Sequence, residues 1–175
     1  MSLRFFLRDL ERNSNSRSIR VQLKNLLVSH SLHMIFLLRL GQFLGGTPII
    51  GQFFRLIIEY IIRILFSSDL SCRAVIGPGL IIMHGHDIVI GADVVIGTDC
   101  KIFNGVTFGN KDLEQSSLGN QPIVGDRCII CTGAKILGRI KVGDNVVVAA
   151  NAVVLKDCMP YTIVGGIPAK IIKRQ

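Results

Sequence analysis

The chain is 175 residues long, carries a formal net charge of +8, and contains five cysteines and no tryptophan. This length bounds one or two domains with room for a buried core. The charge predicts attraction to anions, yet no recognition module or basic-aromatic interleaving supports nucleic acid as the partner.

Residues 1–66 read as a helical region for packing and oligomerisation. Arg4, Arg8, Arg12, Arg17, Arg20 and Lys24 hold much of the positive charge. Asp9 and Glu11 interrupt the start, and no apolar core with a small-residue cleavage site follows, so no signal peptide is expected. From Thr47 to Phe66 the chain is strongly apolar, but Arg55, Glu59 and Arg63 recur at intervals of four. At that spacing they line one helix face as successive ion pairs, each worth roughly 0.2–0.5 kcal/mol. Three charges in one stretch argue against a bilayer span. Ile50, Phe53, Phe54, Leu56, Ile57, Ile61 and Ile64 exceed what one small helix buries alone. The surplus is expected to pack on the rest of the chain or on a neighbouring subunit. Peripheral contact of a basic amphipathic helix with a membrane surface is the lesser reading.

From residue 67 to 160 the period changes to six. Ile, Val or Phe returns as Ile90, Ile96, Ile102 and Phe108, then as Val124, Ile130, Ile136, Val142, Val148 and Val154. Two residues ahead of each stands another small or apolar residue, among them Ile88, Val94, Cys100, Val106, Cys128 and Ala134. A helix does not repeat at six, and an ordinary strand alternates at two. A coil of three short strands and three turns does, with like residues stacked in internal ladders. The fold class expected is therefore mainly β, a parallel β-helix behind an N-terminal α-helical region. Cys100 and Cys128 fall on inward ladder positions as free thiols, the usage of a reducing, cytoplasmic compartment. Cys128 and Cys131 form a lone C-x-x-C that reads as two residues of one hexad.

The rhythm breaks twice. Between Ile82 and Ile90 the spacing is eight, with two extra residues around His84, Gly85 and His86. Between Phe108 and Val124 it is sixteen, which places a loop near 110–121. Solenoid insertions emerge at the surface, and such loops border binding sites. Beyond Lys156 the chain leaves the repeat through Pro160 and Pro168, and 161–175 reads as a basic tail. A neutral imidazole at His84 is suited to take a proton from an alcohol, the more so if a carboxylate holds its other nitrogen. Asp69 lies fifteen residues upstream, almost one coil of roughly eighteen residues below His84. The competing reading is a turn histidine bonded to backbone and an aspartate that ends the preceding helix.

The segments DLSCRAVIGPGLIIMH (69–84), GVTFGN (105–110), GAKILGRIKVGDNVVVAANAVV (133–154) and IVGGIPAKII (163–172) resemble the serine acetyltransferase branch of the hexapeptide-repeat acyltransferases. The likeness runs over most of residues 69–172. It implies a left-handed β-helix, a homotrimer or a hexamer, and acetyl transfer from acetyl-CoA to a hydroxyl. His84 falls on the family's catalytic base, and Asp69 on the carboxylate that orients it. By the same pattern Gly109, Asn110, Thr132, Ala150 and the Gly166-Ile167-Pro168 turn contact the extended pantetheine arm. Small residues there let an arm lie against the backbone. Lys170, Lys173 and Arg174 suit the CoA phosphates by charge.

Three positions depart from that pattern. In serine-specific members an aspartate directly precedes the catalytic histidine, where this chain has Met83. An Arg-His pair stands there in place of Asn120 and Gln121 before Pro122. A free amino acid needs opposite charges against its ammonium and its carboxylate. GVTFGN and the His84-Gly85-His86 element look more like related enzymes that O-acetylate capsule or exopolysaccharide sugars of the colanic-acid type. An acceptor bearing only hydroxyls suits His86, Asn104, Asn120 and Gln121. The expectation is therefore acetyl transfer to a sugar or cell-surface polysaccharide. Serine O-acetylation for cysteine biosynthesis is the alternative, with a non-catalytic scaffold and an N-acyltransferase of amino sugars still open. No metal is expected, because the solenoid holds two histidines where the carbonic anhydrases of this fold use three.

Overall fold

A computed structural model describes residues 2–174 apart from 113 and 115, two residues of the predicted loop. Four helices come first: α1 (Ser2–Ser14), α2 (Ile19–Val28), α3 (His30–Leu44) and α4 (Ile50–Phe66). Short strands then wind around three faces. Face one stacks β1 (Asp69–Leu70), β4 (Val89–Ile90), β7 (Thr107–Gly109), β10 (Lys135–Leu137) and β13 (Val153–Val154). Face two stacks β2 (Val75–Ile76), β5 (Val95–Ile96), β8 (Ile123–Val124) and β11 (Lys141–Val142). Face three stacks β3 (Ile81–Met83), β6 (Lys101–Phe103), β9 (Ile129–Ile130), β12 (Val147–Val148), β14 (Thr162–Gly166) and β15 (Ala169–Arg174). From β1 to β14 each face is revisited one coil later in the same direction, so the stacked pairs are parallel.

The period of six is visible in the register. Ile90, Phe108, Ile136 and Val154 stand above one another on face one. Ile82, Ile102 and Ile130 do so on face three. All seven are buried, and each side chain removed from water contributes about 1.5–3 kcal/mol. The cysteines are free, with Cys100 and Cys128 inside and Cys131 half-buried. The inward thiols donate to carbonyls of the coil above, Cys100 Sγ to Gly125 O at 3.2 Å and Cys128 Sγ to Gly143 O at 3.1 Å.

The C-terminal segment differs from the expected tail. Thr162 and Val164 face inward and β14 pairs in parallel with β12, so the core continues past the last hexad. β15 then folds back antiparallel on β14.

The helices cap the first coil. Arg39 and Asp9 are both fully buried and joined at 2.9 Å. The guanidinium also donates to Ile76 O and Gly77 O, at 2.7 and 2.6 Å, and Asp9 Oδ1 accepts from Leu80 N at 2.7 Å. One ion pair thus ties α1, α3 and the turn after β2 together. Burial raises the Asp9 carboxyl above its ordinary range, while Arg39 draws it down.

The ion-pair ladder expected along α4 does not form. Glu59 accepts from Cys72 N at 2.8 Å, Arg63 donates to Asp69 at 2.8 Å, and Arg55 Nε is buried without a partner among the described residues. The end of α4 abuts the first coil, whose backbone N–H and carboxylate compete with side chains four residues apart. Ile58, Ile62 and Phe66 join the core, while Phe53, Leu56, Tyr60 and Ile64 remain exposed. Among the described residues no single helix is long and apolar enough to cross a membrane. The pair α2–α3, bent by 92°, passes by length and composition, but α3 buries Leu32, Met34, Ile35 and Leu38 within the protein.

Candidate active site

The chain passes from face three to face one at a corner that recurs in every coil. Gly105 N donates to His86 O at 3.2 Å, Gly133 N to Asn104 O at 2.9 Å, and Asn151 N to Thr132 O at 2.9 Å. His86, Asn104, Thr132 and Ala150 therefore climb a single column. Three spacings of about 4.8 Å make it roughly 14 Å tall. The corner needs a left-handed residue after each of these, supplied by Asp87, Gly105, Gly133 and Asn151 at φ 54°, 69°, 73° and 57°. At Gly133 a Cβ would stand 2.1 Å from Asn151 Oδ1, so the glycine is required by space as well as by torsion.

The register identifies the two extra residues in the first corner. Met83 pairs with Phe103, and His86 O already accepts from Gly105 N, which leaves His84 and Gly85 as a bulge. His84 is left-handed at φ 55° and exposed. Gly85 is buried against α3, where its N–H donates to Ser31 Oγ at 3.1 Å. A Cβ on Gly85 would lie 2.7 Å from Met34 Cε. The helical cap thus props the bulge that presents the imidazole. Ser31 carries no sequence signal for this role, because its partner lies 54 residues away.

Asp69 lies one coil below, with its N–H donating to Ile88 O at 2.8 Å. Its carboxylate, however, is engaged with α4. Oδ1 accepts from Arg63 Nη2 at 2.8 Å, and no hydrogen bond joins Asp69 to His84 among the described residues. This contact holds the Arg63 guanidinium above its ordinary pKa, chiefly through the hydrogen bond.

The remaining predicted residues divide between two places. The hairpin turn at Gly166 and Pro168 caps the histidine corner, since Ala149 N donates to Val164 O at 2.8 Å. A Cβ on Gly165 would meet Ala149 Cβ at 3.1 Å. Lys170 and Lys173 are exposed on β15 just beyond. Gly109, Asn110 and Asn120 sit at a different corner, between faces one and two. Asn110 and Asn120 line a cleft of about 570 Å³ there with Lys111 and Arg139. Asn120 Nδ2 donates to Ser116 O within its own loop at 2.9 Å. Gln121 is buried, and its Oε1 accepts from Asp93 N at 2.9 Å, so its side chain belongs to the coil below. One chain therefore assembles His84, His86, Asn104, Thr132, Ala150 and the Gly166 turn, and keeps Gly109, Asn110, Asn120 and Gln121 apart from them.

Two buried thiols away from this corner are held in the protonated form. Burial, with Glu59 nearby, pushes the Cys72 thiol up to about 12, and burial with Asp157 pushes Cys158 to about 11. Neither supplies a thiolate near neutral pH.

The family model of the bacterial transferase hexapeptide (six repeats) matches residues 121–156. Over these residues the solenoid is similar to the hexapeptide repeat of bacterial transferases. Serine acetyltransferase of Mycobacterium tuberculosis is 42% identical over 110 residues, covering 63% of this chain and 47% of that protein. Serine acetyltransferase of Staphylococcus aureus is 39% identical over 117 residues, covering 67% and 54%. The chain spans about half the length of the curated relatives it matches. Among solved structures, a serine acetyltransferase in complex with cysteine has a TM-score of 0.88 at 28% identity, over 99% of this chain and 66% of that one. Serine acetyltransferase from Brucella abortus in complex with coenzyme A has a TM-score of 0.88 at 27% identity, over 99% and 68%. These hexapeptide-repeat relatives correct two expectations. They carry the name serine acetyltransferase, which overturns both the polysaccharide acceptor and the capsule-type branch.

Proposed function

We propose that the chain is an acetyl-CoA-dependent serine O-acetyltransferase with His84 as its general base. The observation that carries this reading is the single column at the histidine corner, together with its likeness to named serine acetyltransferases. Small residues at Thr132, Ala150 and Gly166 leave a backbone-lined path for a pantetheine arm. Lys170 and Lys173 at its upper end suit phosphates, and the arm's reactive end arrives beside His84.

In the proposed reaction His84 removes the proton of the acceptor hydroxyl as its oxygen bonds to the thioester carbonyl carbon. The tetrahedral oxyanion collapses with cleavage of the C–S bond, and the departing thiolate takes the proton from the imidazolium. Asp69 serves as the carboxylate facing the other ring nitrogen. Arg63 occupies Oδ1 and leaves Oδ2 as the acceptor for an imidazole N–H.

The reading also calls for a second copy, because Gly109 and Asn110 lie at a corner that His84 does not reach within one chain. The outward face of β2, β5 and β8 carries Val75, Val95 and Ile123, an apolar strip suited to packing in a homotrimer. The direct test is thiol release from acetyl-CoA with and without L-serine, with the product identified as O-acetylserine by mass. Serine-dependent release is expected. A chain that binds CoA but releases no thiol with serine contradicts the proposal.

A further inference from the structure

Beside the histidine corner, α1 and the outer surface of face three enclose a cleft of about 690 Å³. Its floor includes Ile81, Met83 and Lys101, and its wall Arg8, Arg12 and Arg17. Met83, at one end of the lining, directly precedes His84 in the chain. The charges inside do not balance. Glu11 pairs with Arg8 at 3.1 Å and with Arg17 at 2.9 Å. Asp99 faces Arg8 and Arg12, both at 3.5 Å. Two carboxylates thus serve three guanidinium groups, and the Lys101 ammonium, a fourth cation in the cleft, has no ion-pair or hydrogen-bond partner among the described residues. A concave, one-signed surface with walls of low dielectric concentrates counter-charge. Met83 adds a neutral side chain to the floor.

We propose that this cleft receives the acceptor and that Lys101 and Arg17 hold its carboxylate, which aims the acceptor's hydroxyl at His84. The proposal rests on His84 being the base of the transfer. It assigns the acceptor's negative end to Arg17 of the α1–α2 connection and Lys101 of β6, where Asn120 and Gln121 supply no charge. An ammonium is not what the cleft selects, so a hydroxy acid lacking the amine is a ligand as well.

The methyl groups of Met83 and Ile81 report occupancy at the floor. The full-length chain, methyl-labelled at Met and Ile, is titrated with L-serine, with glycerate, and with L-serine methyl ester, whose carboxylate is masked. Serine and glycerate are expected to shift both signals, and the ester is expected to leave them in place at tenfold higher concentration. In the double variant Arg17→Gln, Lys101→Gln the apparent Kd for serine and glycerate rises about tenfold or more, the loss of a charge-assisted contact. Affinity for CoA, measured on the same sample, stays unchanged and shows that the variant is folded. Equal shifts by the ester, no shift with any ligand, or unchanged affinity in the variant overturn the proposal. If glycerate binds and the variant weakens it while serine supports no thiol release, the cleft stands and the serine reading falls. If serine is acetylated with an unchanged KM in the variant, the serine reading stands and the cleft falls.

Discussion

The solenoid and its helical cap solve the same packing problem by opposite means. In the solenoid, identity at one position is copied to the next coil, so Ile82, Ile102 and Ile130 each bury against a neighbour of the same kind. No buried charge is needed there. The cap has no period, and single contacts of long sequence separation dock it. Arg39 reaches Ile76 and Gly77 across 37 and 38 residues, and Asp9 reaches Leu80 across 71. A repeated ladder spreads the cost of a defect over its neighbours. A lone staple concentrates it.

The sharpest way to break this contrast is Arg39→Met. It leaves Asp9 buried without its counter-charge and strips a donor from Ile76 O and from Gly77 O. A loss of about 3–5 kcal/mol is expected in denaturant unfolding. The sign of its pH dependence follows from Asp9. Without Arg39 the burial that raises its pKa, the largest influence on it, is opposed only by the backbone N–H groups of Leu80 and Gly79, so the folded variant holds that proton more tightly than the unfolded chain. Stability is then recovered at acid pH and lost as pH rises through the raised value.

Ile102→Val, at an equally buried ladder position, is expected to cost about 0.5–1.5 kcal/mol. A cost matching that of Arg39→Met would show that the ladder does not share its defects. The smallest stability effect belongs to Arg63→Gln. Its pair with Asp69 is half-exposed on both sides, so thermal unfolding should change by less than about 1 kcal/mol. A loss of turnover in that variant beyond its loss of stability would sharpen Arg63 into a positioning residue for Asp69.

The same contrast decides what the sequence reveals. A period of six at Ile90, Ile96, Ile102 and Phe108 is a local pattern with one geometric solution, and its break at His84 and Gly85 marks the bulge directly. The Asp69–His84 relation was half legible. Counting coils placed the two near one corner, but counting cannot show that Arg63, one turn back on α4, takes the carboxylate. Ser31 under Gly85 and the basic wall of the α1 cleft depend on how the cap docks, and no local pattern encodes that. Gln121 shows the reverse failure. Its polar side chain suggested an acceptor contact, whereas a glycine one coil below, Gly91, leaves the space in which the amide folds inward.

The central claim, a base at the histidine corner, is tested most directly by His84→Ala with acetyl-CoA and serine. Turnover is predicted to fall by about 10²–10⁴-fold while affinity for CoA stays within a factor of about two. Turnover that survives the substitution would contradict the account.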